Sequence, residues 1–377
     1  MKCIALVLVF VSVAAAWLAP LHVTSGEKEK DRYIVHFKSG IAGEYAFENI
    51  VTQLGGRILR RYTHVLNGVS LELTAEAVDR IRLLDIIELV EEDGIARINS
   101  DDVSSWGLDR INQRQLPLDS NSKHQGTGKG VHVYILDTGI NAAHKDFEGR
   151  VHISKEMDMY GGTGEDCKGH GTHCAGIVGS KTYGVAPGVE LYSVRVLKCN
   201  GAGAYSDIIA GMDWVATNHT TPAIASISIG GVWSPTMNTA AIRLVNAGVT
   251  TVVAAGNENT NACFKSPASA KEVITVGASN QGDTKPTFSN FGSCVDIFAP
   301  GKAIVSTFID SGTETDTVKS LSGTSMAAPH VAGAAALILA DSRTKTPAEV
   351  KNQIISEGTP GNGTLATGSP NLLLYIP

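Results

Sequence analysis

Three residues of this chain, an aspartate, a histidine and a serine, stand in settings that suit reaction chemistry. Asp137 closes the apolar run "VHVYILD" (131–137) and is followed by Thr138 and Gly139, which puts a carboxylate at the carboxyl edge of a strand. His170 opens "HGTHCAGIVG" (170–179), and Ser325 stands near the start of the Ala-rich run "GTSMAAPHVAGAAALILA" (323–340). Each has a plainer use. An aspartate there can form a turn, and a serine at a helix N-terminus can be a cap. His170 can be structural, or a metal ligand with His173 and Cys174, although no zinc spacing such as HExxH accompanies it.

Together, the three supply what acyl transfer needs. Serine is a poor nucleophile at neutral pH, so His170 must take its proton and return it to the leaving group, while Asp137 orients and stabilises the imidazolium. The oxyanion that forms needs donors. Asn257, in "AAGNEN" (254–259), offers a side-chain amide, and the backbone N–H of Ser325 lies among the free donors of a helix start.

Such residues need rigid elements behind them. Apolar β-branched runs at 131–137, 189–197, 223–230, 249–256 and 272–278 alternate with helical patterns at 205–218, 236–247, 325–340 and 347–357. That order predicts an α/β fold, a doubly wound, mostly parallel sheet flanked by helices, with its site beyond the carboxyl ends of the strands. Ahead of it, residues 31–99 read as a small α+β unit without a catalytic cluster: strands at 32–37, 68–73 and 87–93, helices near 45–54 and 74–84.

Lys2 followed by the apolar stretch Cys3–Ala19 predicts a signal peptide over residues 1–20, hence a secreted, extracellular product with no membrane anchor after cleavage. A net charge of −6 without a basic block argues against nucleic acid as a partner. Removal of the signal leaves five cysteines, an odd number, in a chain bound for an oxidising compartment. Asn218 and Asn362 begin glycosylation sequons.

"ILDTGI", "GHGTHCAG", "AAGN" and "GTSMAAPHVAG" resemble, in order, the four signature segments of subtilases. The likeness runs from about Trp106 onward and is nearest to the proteinase K branch, with its aqualysin-like secreted members. It implies a subtilisin-like peptidase domain over 100–377, preceded by a ferredoxin-like inhibitory propeptide. The expected product is a serine endopeptidase that acts on proteins and peptides through an acyl-enzyme. It would process itself near Asn99 and Ser100, stay bound to its own propeptide as inhibitor, act as a monomer and use no catalytic cofactor.

The resemblance pairs Cys167 with Cys199 and Cys263 with Cys294, each closing a loop of about thirty residues and adding roughly 3 to 4 kcal/mol in the chain-entropy picture. Cys174 is then the odd thiol. Substrate would lie as an added strand between "GAG" (Gly201, Gly203) and "SIGG" (Ser228, Ile229, Gly230, Gly231), with Gly203 and Gly230 sparing room for its backbone. Ala254, Ala255 and Gly256 would line an uncharged pocket for an apolar or aromatic residue before the scissile bond. Structural Ca²⁺ is implied at Asp109, Asn112, Gln113, Asp119 and Asn121, although Asn112 stands where those enzymes generally carry Asp. A second ion is implied at Asp296 with the Val273 carbonyl.

Overall fold

The computed structural model describes residues 18–38, 44–97, 106–122, 125–310, 315–361 and 365–377, so the expected signal peptide to residue 17, the Asn99–Ser100 junction and Asn362 lie outside the described residues. The larger part is built on a nine-stranded sheet. Its order is Thr359–Pro360, Leu372–Leu373, Ile297–Pro300, Ile274–Ser279, Thr250–Ala254, Ala223–Ile227, His132–Asp137, Glu190–Arg195 and Val151–His152. All neighbours are parallel except the first pair. The strands Ala223–Ile227 and Thr250–Ala254 are buried at every position, because helices cover both faces and leave no side for water. His132–Asp137 has later strands on both flanks, and the chain therefore leaves a crevice at the carboxyl end of that strand.

Helix Thr324–Asp341 is apolar on nearly all sides and is buried from Thr324 to Ala336. Its alanines let it lie close to helix His170–Gly179 and to the central strands. Pro329 falls inside this helix and has no N–H for the Ser325 carbonyl, its partner one turn earlier. That orphan carbonyl instead accepts from Ser228 Oγ at 3.0 Å and from Cys174 Sγ at 3.3 Å.

The smaller part orders its strands Leu21–His22, Ile87–Arg97, Lys28–Phe37, Gly68–Glu72 and Arg57–Tyr62, with helices Glu44–Gln53 and Ala75–Ile81. Lys28–Phe37 shows the pleat at work. Tyr33, Val35 and Phe37 pack with Phe47, Val51 and Val78 in a core of their own, while Ile34 faces the other way, with Tyr62 and Leu66, onto Tyr205, Ile208 and Met212 of the large part.

Candidate active site

Asp137 is fully buried at the end of its strand, and its carboxylate accepts from the Thr138 backbone N–H at 2.7 Å. Its two oxygens lie 2.8 and 2.9 Å from His170 Nδ1. His170 is held at the head of its helix by a turn built on Asp166. That carboxylate accepts from the N–H groups of Lys168, Gly169 and Thr172 and from the Thr138 and Thr172 hydroxyls. Burial opposes charge on the His170 ring, but the Asp137 carboxylate outweighs it and holds the pKa well above the ordinary value. Burial also pushes the Cys174 thiol up, so at neutral pH the sulfur is uncharged and Asp137 is the carboxylate that acts on the ring.

Ser325 starts its helix on the other side of the crevice. Its Oγ–H donates to the Ser228 carbonyl at 3.0 Å, and His170 Nε2 is buried without a hydrogen-bond partner. The Asp–His bond is thus made and the Ser–His bond is not; such contacts commonly tighten only when substrate arrives. His173 does not join this group as a metal ligand. Its Nε2–H reaches the carbonyls of Ile304 and Lys319 at 3.0 and 2.9 Å, and burial lowers its pKa to about 3.

Beside Ser325, a narrow pocket is lined by Ser228, Ile229, Gly230, Ala254, Gly256, Asn257 and Thr324, with Glu258 and Lys265 among the lining residues. The Asn257 side-chain oxygen accepts from Thr324 N–H at 2.8 Å and its hydroxyl at 2.9 Å, which fixes the amide and leaves its NH₂ as the donor end. Two expectations need correction. Ala255 faces away from the pocket into a cluster with Ala262, Val295 and Phe298, as alternation along extended chain requires. The uncharged pocket in fact carries an ion pair, Lys265 to Glu258 at 3.0 Å, and Glu258 also accepts from Asn290 at 2.7 Å.

Gly203 lies in the strand Ala202–Ala204, which pairs antiparallel with Ile95–Arg97 of the small part, Ala96 opposite Gly203. A Cβ at Gly203 would strike the Val196 carbonyl at 2.4 Å, so the close approach there is to the chain's own backbone and not to the added strand. Gly201 closes the turn from Lys198, and Gly231 pairs with Ser266 at the far side.

A family model described as the subtilase family matches residues 128–368, and one described as peptidase inhibitor I9 matches residues 32–99. The chain belongs to the subtilase family. It is a serine endopeptidase. This subtilase is 48% identical over 326 residues to an extracellular serine proteinase of Thermus sp. (strain Rt41A), covering 86% of this chain and 78% of that one. It is 42% identical to a cuticle-degrading protease of Metarhizium anisopliae, over 95% of this chain and 92% of that one. Among solved structures, a cold adapted subtilisin-like serine proteinase is similar at a TM-score of 0.68 and 43% identity, covering 74% of this chain and 99% of that one. Fervidolysin from Fervidobacterium pennivorans shares the fold at a TM-score of 0.79 and 22% identity, over 96% of this chain and 62% of that one.

In this subtilase the disulfides Cys167–Cys199 and Cys263–Cys294 are formed, and Cys174 is a buried free thiol. The loop expected to hold calcium gathers its side chains: Asp109 Oδ2 accepts from Ser120 N–H at 3.0 Å, Gln113 Oε1 from Asp119 N–H at 3.2 Å, and Asp119 Oδ1 from Asn121 N–H at 2.8 Å. The Asn112 amide donates to the Asn121 carbonyl at 2.6 Å. Asp109 Oδ1 is buried with no hydrogen-bond partner, an oxygen that suits a hard cation. The second expected calcium position is overturned. Val273 and Asp296 do converge, but on the ammonium of Lys351, which leaves no place for a metal ion.

Proposed function

We propose that this subtilase hydrolyses peptide bonds with Asp137, His170 and Ser325. Ser325 Oγ attacks the scissile carbonyl carbon while its proton passes to His170 Nε2; the Asn257 amide and the Ser325 N–H hold the oxyanion. Collapse expels the amine, which takes the proton from His170 and leaves an acyl-enzyme. Water then repeats the sequence and frees the acid. The observation that carries this reading is the buried Asp137–His170 pair, whose Nε2 has no partner, in a crevice shared with Ser325 and an anchored Asn257. Labelling the matured enzyme with a phosphonylating reagent tests it: a single adduct on Ser325 with loss of activity is expected, and active, unlabelled protein would sink it.

Apolar walls from Ile229 and Ala254 favour an apolar or aromatic residue before the scissile bond, and Lys265 leaves Glu258 partly neutralised. Residues 31–99 form the inhibitory propeptide, cut near Asn99 and Ser100, with Ile95–Arg97 occupying the substrate edge until release. The apolar leader, the two disulfides and the extracellular relative support secretion; no described helix is long and apolar enough to cross a membrane. Asp109, Gln113 and Asp119 would hold a structural Ca²⁺, which would stiffen the 109–121 loop without entering the reaction.

A further inference from the structure

Lys351 reaches out of helix Pro347–Glu357, which is anchored by the Thr346–Glu349 capping box and by buried Val350 and Ile354. Its Nζ lies 2.6 Å from the Val273 carbonyl, 2.8 Å from Asp296 Oδ2 and 2.9 Å from the Lys271 carbonyl. An ammonium has three N–H donors, and here they meet three oxygen acceptors. Asp296 Oδ2 also accepts from the Thr275 N–H at 2.8 Å, so the carboxylate is fixed from two sides. Only 17% of the Lys351 side chain and 22% of the Asp296 side chain remain exposed. One carboxylate and two main-chain carbonyls converging on one point are the oxygen donors that a hard divalent cation takes. An ammonium and a metal ion cannot share that point.

We propose that Lys351 is a built-in replacement for a divalent cation. Its ammonium ties the 271–273 turn to Asp296 and to the C-terminal helix as a metal ion would, but it cannot dissociate or be removed by a chelator. Taking the lysine away uncovers a divalent-cation site made by the carbonyls of Lys271 and Val273 and the carboxylate of Asp296.

The test uses the full chain carrying Ser325→Ala, which removes self-digestion, with calcium stoichiometry from titration calorimetry and thermal midpoints with and without millimolar Ca²⁺. Ions held elsewhere are common to parent and variant and cancel. Adding Lys351→Ala is expected to lower the midpoint without calcium, raise the bound calcium by one ion, and let Ca²⁺ recover much of the lost midpoint. Adding Asp296→Asn to that variant is expected to abolish both the extra ion and the recovery. Lys351→Met, which keeps the apolar stem, serves the same comparison should the alanine variant not fold. Equal stoichiometry in parent and variant would overturn the proposal, and so would an ion lost from the parent on Asp296→Asn alone.

Discussion

Burial and the Asp137 carboxylate pull the His170 ring in opposite directions, and the carboxylate wins. A base must be neutral to accept the Ser325 proton, so kcat/KM for an uncharged chromogenic peptide should rise with pH along a limb above 6.5, the ordinary histidine value. Asp137→Asn should move that limb down and cut kcat by about 10⁴, since the ring loses its tautomer and its counter-charge. A wild-type limb at or below the ordinary value would contradict the assignment. The same shift has the reverse sign for stability. A histidine raised in the folded state stabilises fully below its unfolded pKa and loses that contribution as pH rises through the folded one. The enzyme should therefore gain activity where this pair ceases to support its fold. Under the proposed mechanism, Asn257→Ala should lower kcat about 10² to 10³-fold with little change in KM, because its amide would meet charge that exists only in the transition state. Ser228 illustrates what single residues hide. The family resemblance implies a substrate contact there, and its hydroxyl serves a carbonyl that Pro329 leaves open. Ser228→Ala should lower stability by about 1 to 2 kcal/mol in urea unfolding, with only the weaker thiol bond of Cys174 left at that oxygen.

At the scale of elements, two helices of the peptidase are completed by carboxylates from the propeptide. Helix Tyr205–Asn218 has no side-chain cap of its own, and Asp93 supplies one by accepting from the Ser206 N–H at 2.9 Å and hydroxyl at 2.6 Å. Glu91 accepts from the Thr236 N–H at 3.1 Å and from its hydroxyl, in the first turn of helix Pro235–Asn246. Below pH 6, Asp93→Ala should weaken retention of the cleaved propeptide by about 1 to 2 kcal/mol, read as earlier release of activity after processing. Burial lifts docked Asp93 to about 6, so its contribution to docking is lost as pH rises through that value. Burial lowers docked His36 to about 4, and its contribution is lost as pH falls from 6.5 toward 4. Much of this scaffold could be read from sequence. Apolar runs named the five strands next to the site because both sheet faces are covered, so almost no polar residue interrupts them. Strand Arg57–Tyr62 escaped notice, since Arg60 and Arg61 break the apolar signal and Arg60 finds its partner, Asp207, 147 residues away. Asp166 escaped for a related reason: a carboxylate that shapes one turn looks like any loop aspartate until its bonds are seen.

For the whole molecule, the four motif segments converge because strands His132–Asp137 and Thr250–Ala254 end, and helices His170–Gly179 and Thr324–Asp341 begin, at one edge of the sheet, an outcome visible in the motifs' order but not in any one of them. The second cation position was the part sequence read least well. Oxygen ligands could be named at Val273 and Asp296, but a lysine arriving from 55 residues beyond Asp296 left no trace in the local pattern. The disulfides join segments 32 and 31 residues apart, so Cys167→Ser or Cys263→Ser should each cost roughly 3 kcal/mol in denaturant unfolding. The strand Ala202–Ala204 reaches beyond stability. Once Ile95–Arg97 departs, its backbone donors and acceptors form an open row that any extended polypeptide can complete. The best supply of extended polypeptide in a concentrated preparation is a partly unfolded sister molecule. Matured enzyme on the shelf should therefore disappear by a rate law second order in its own concentration, and dilution or a tight-binding peptide should lengthen its life more than cooling alone.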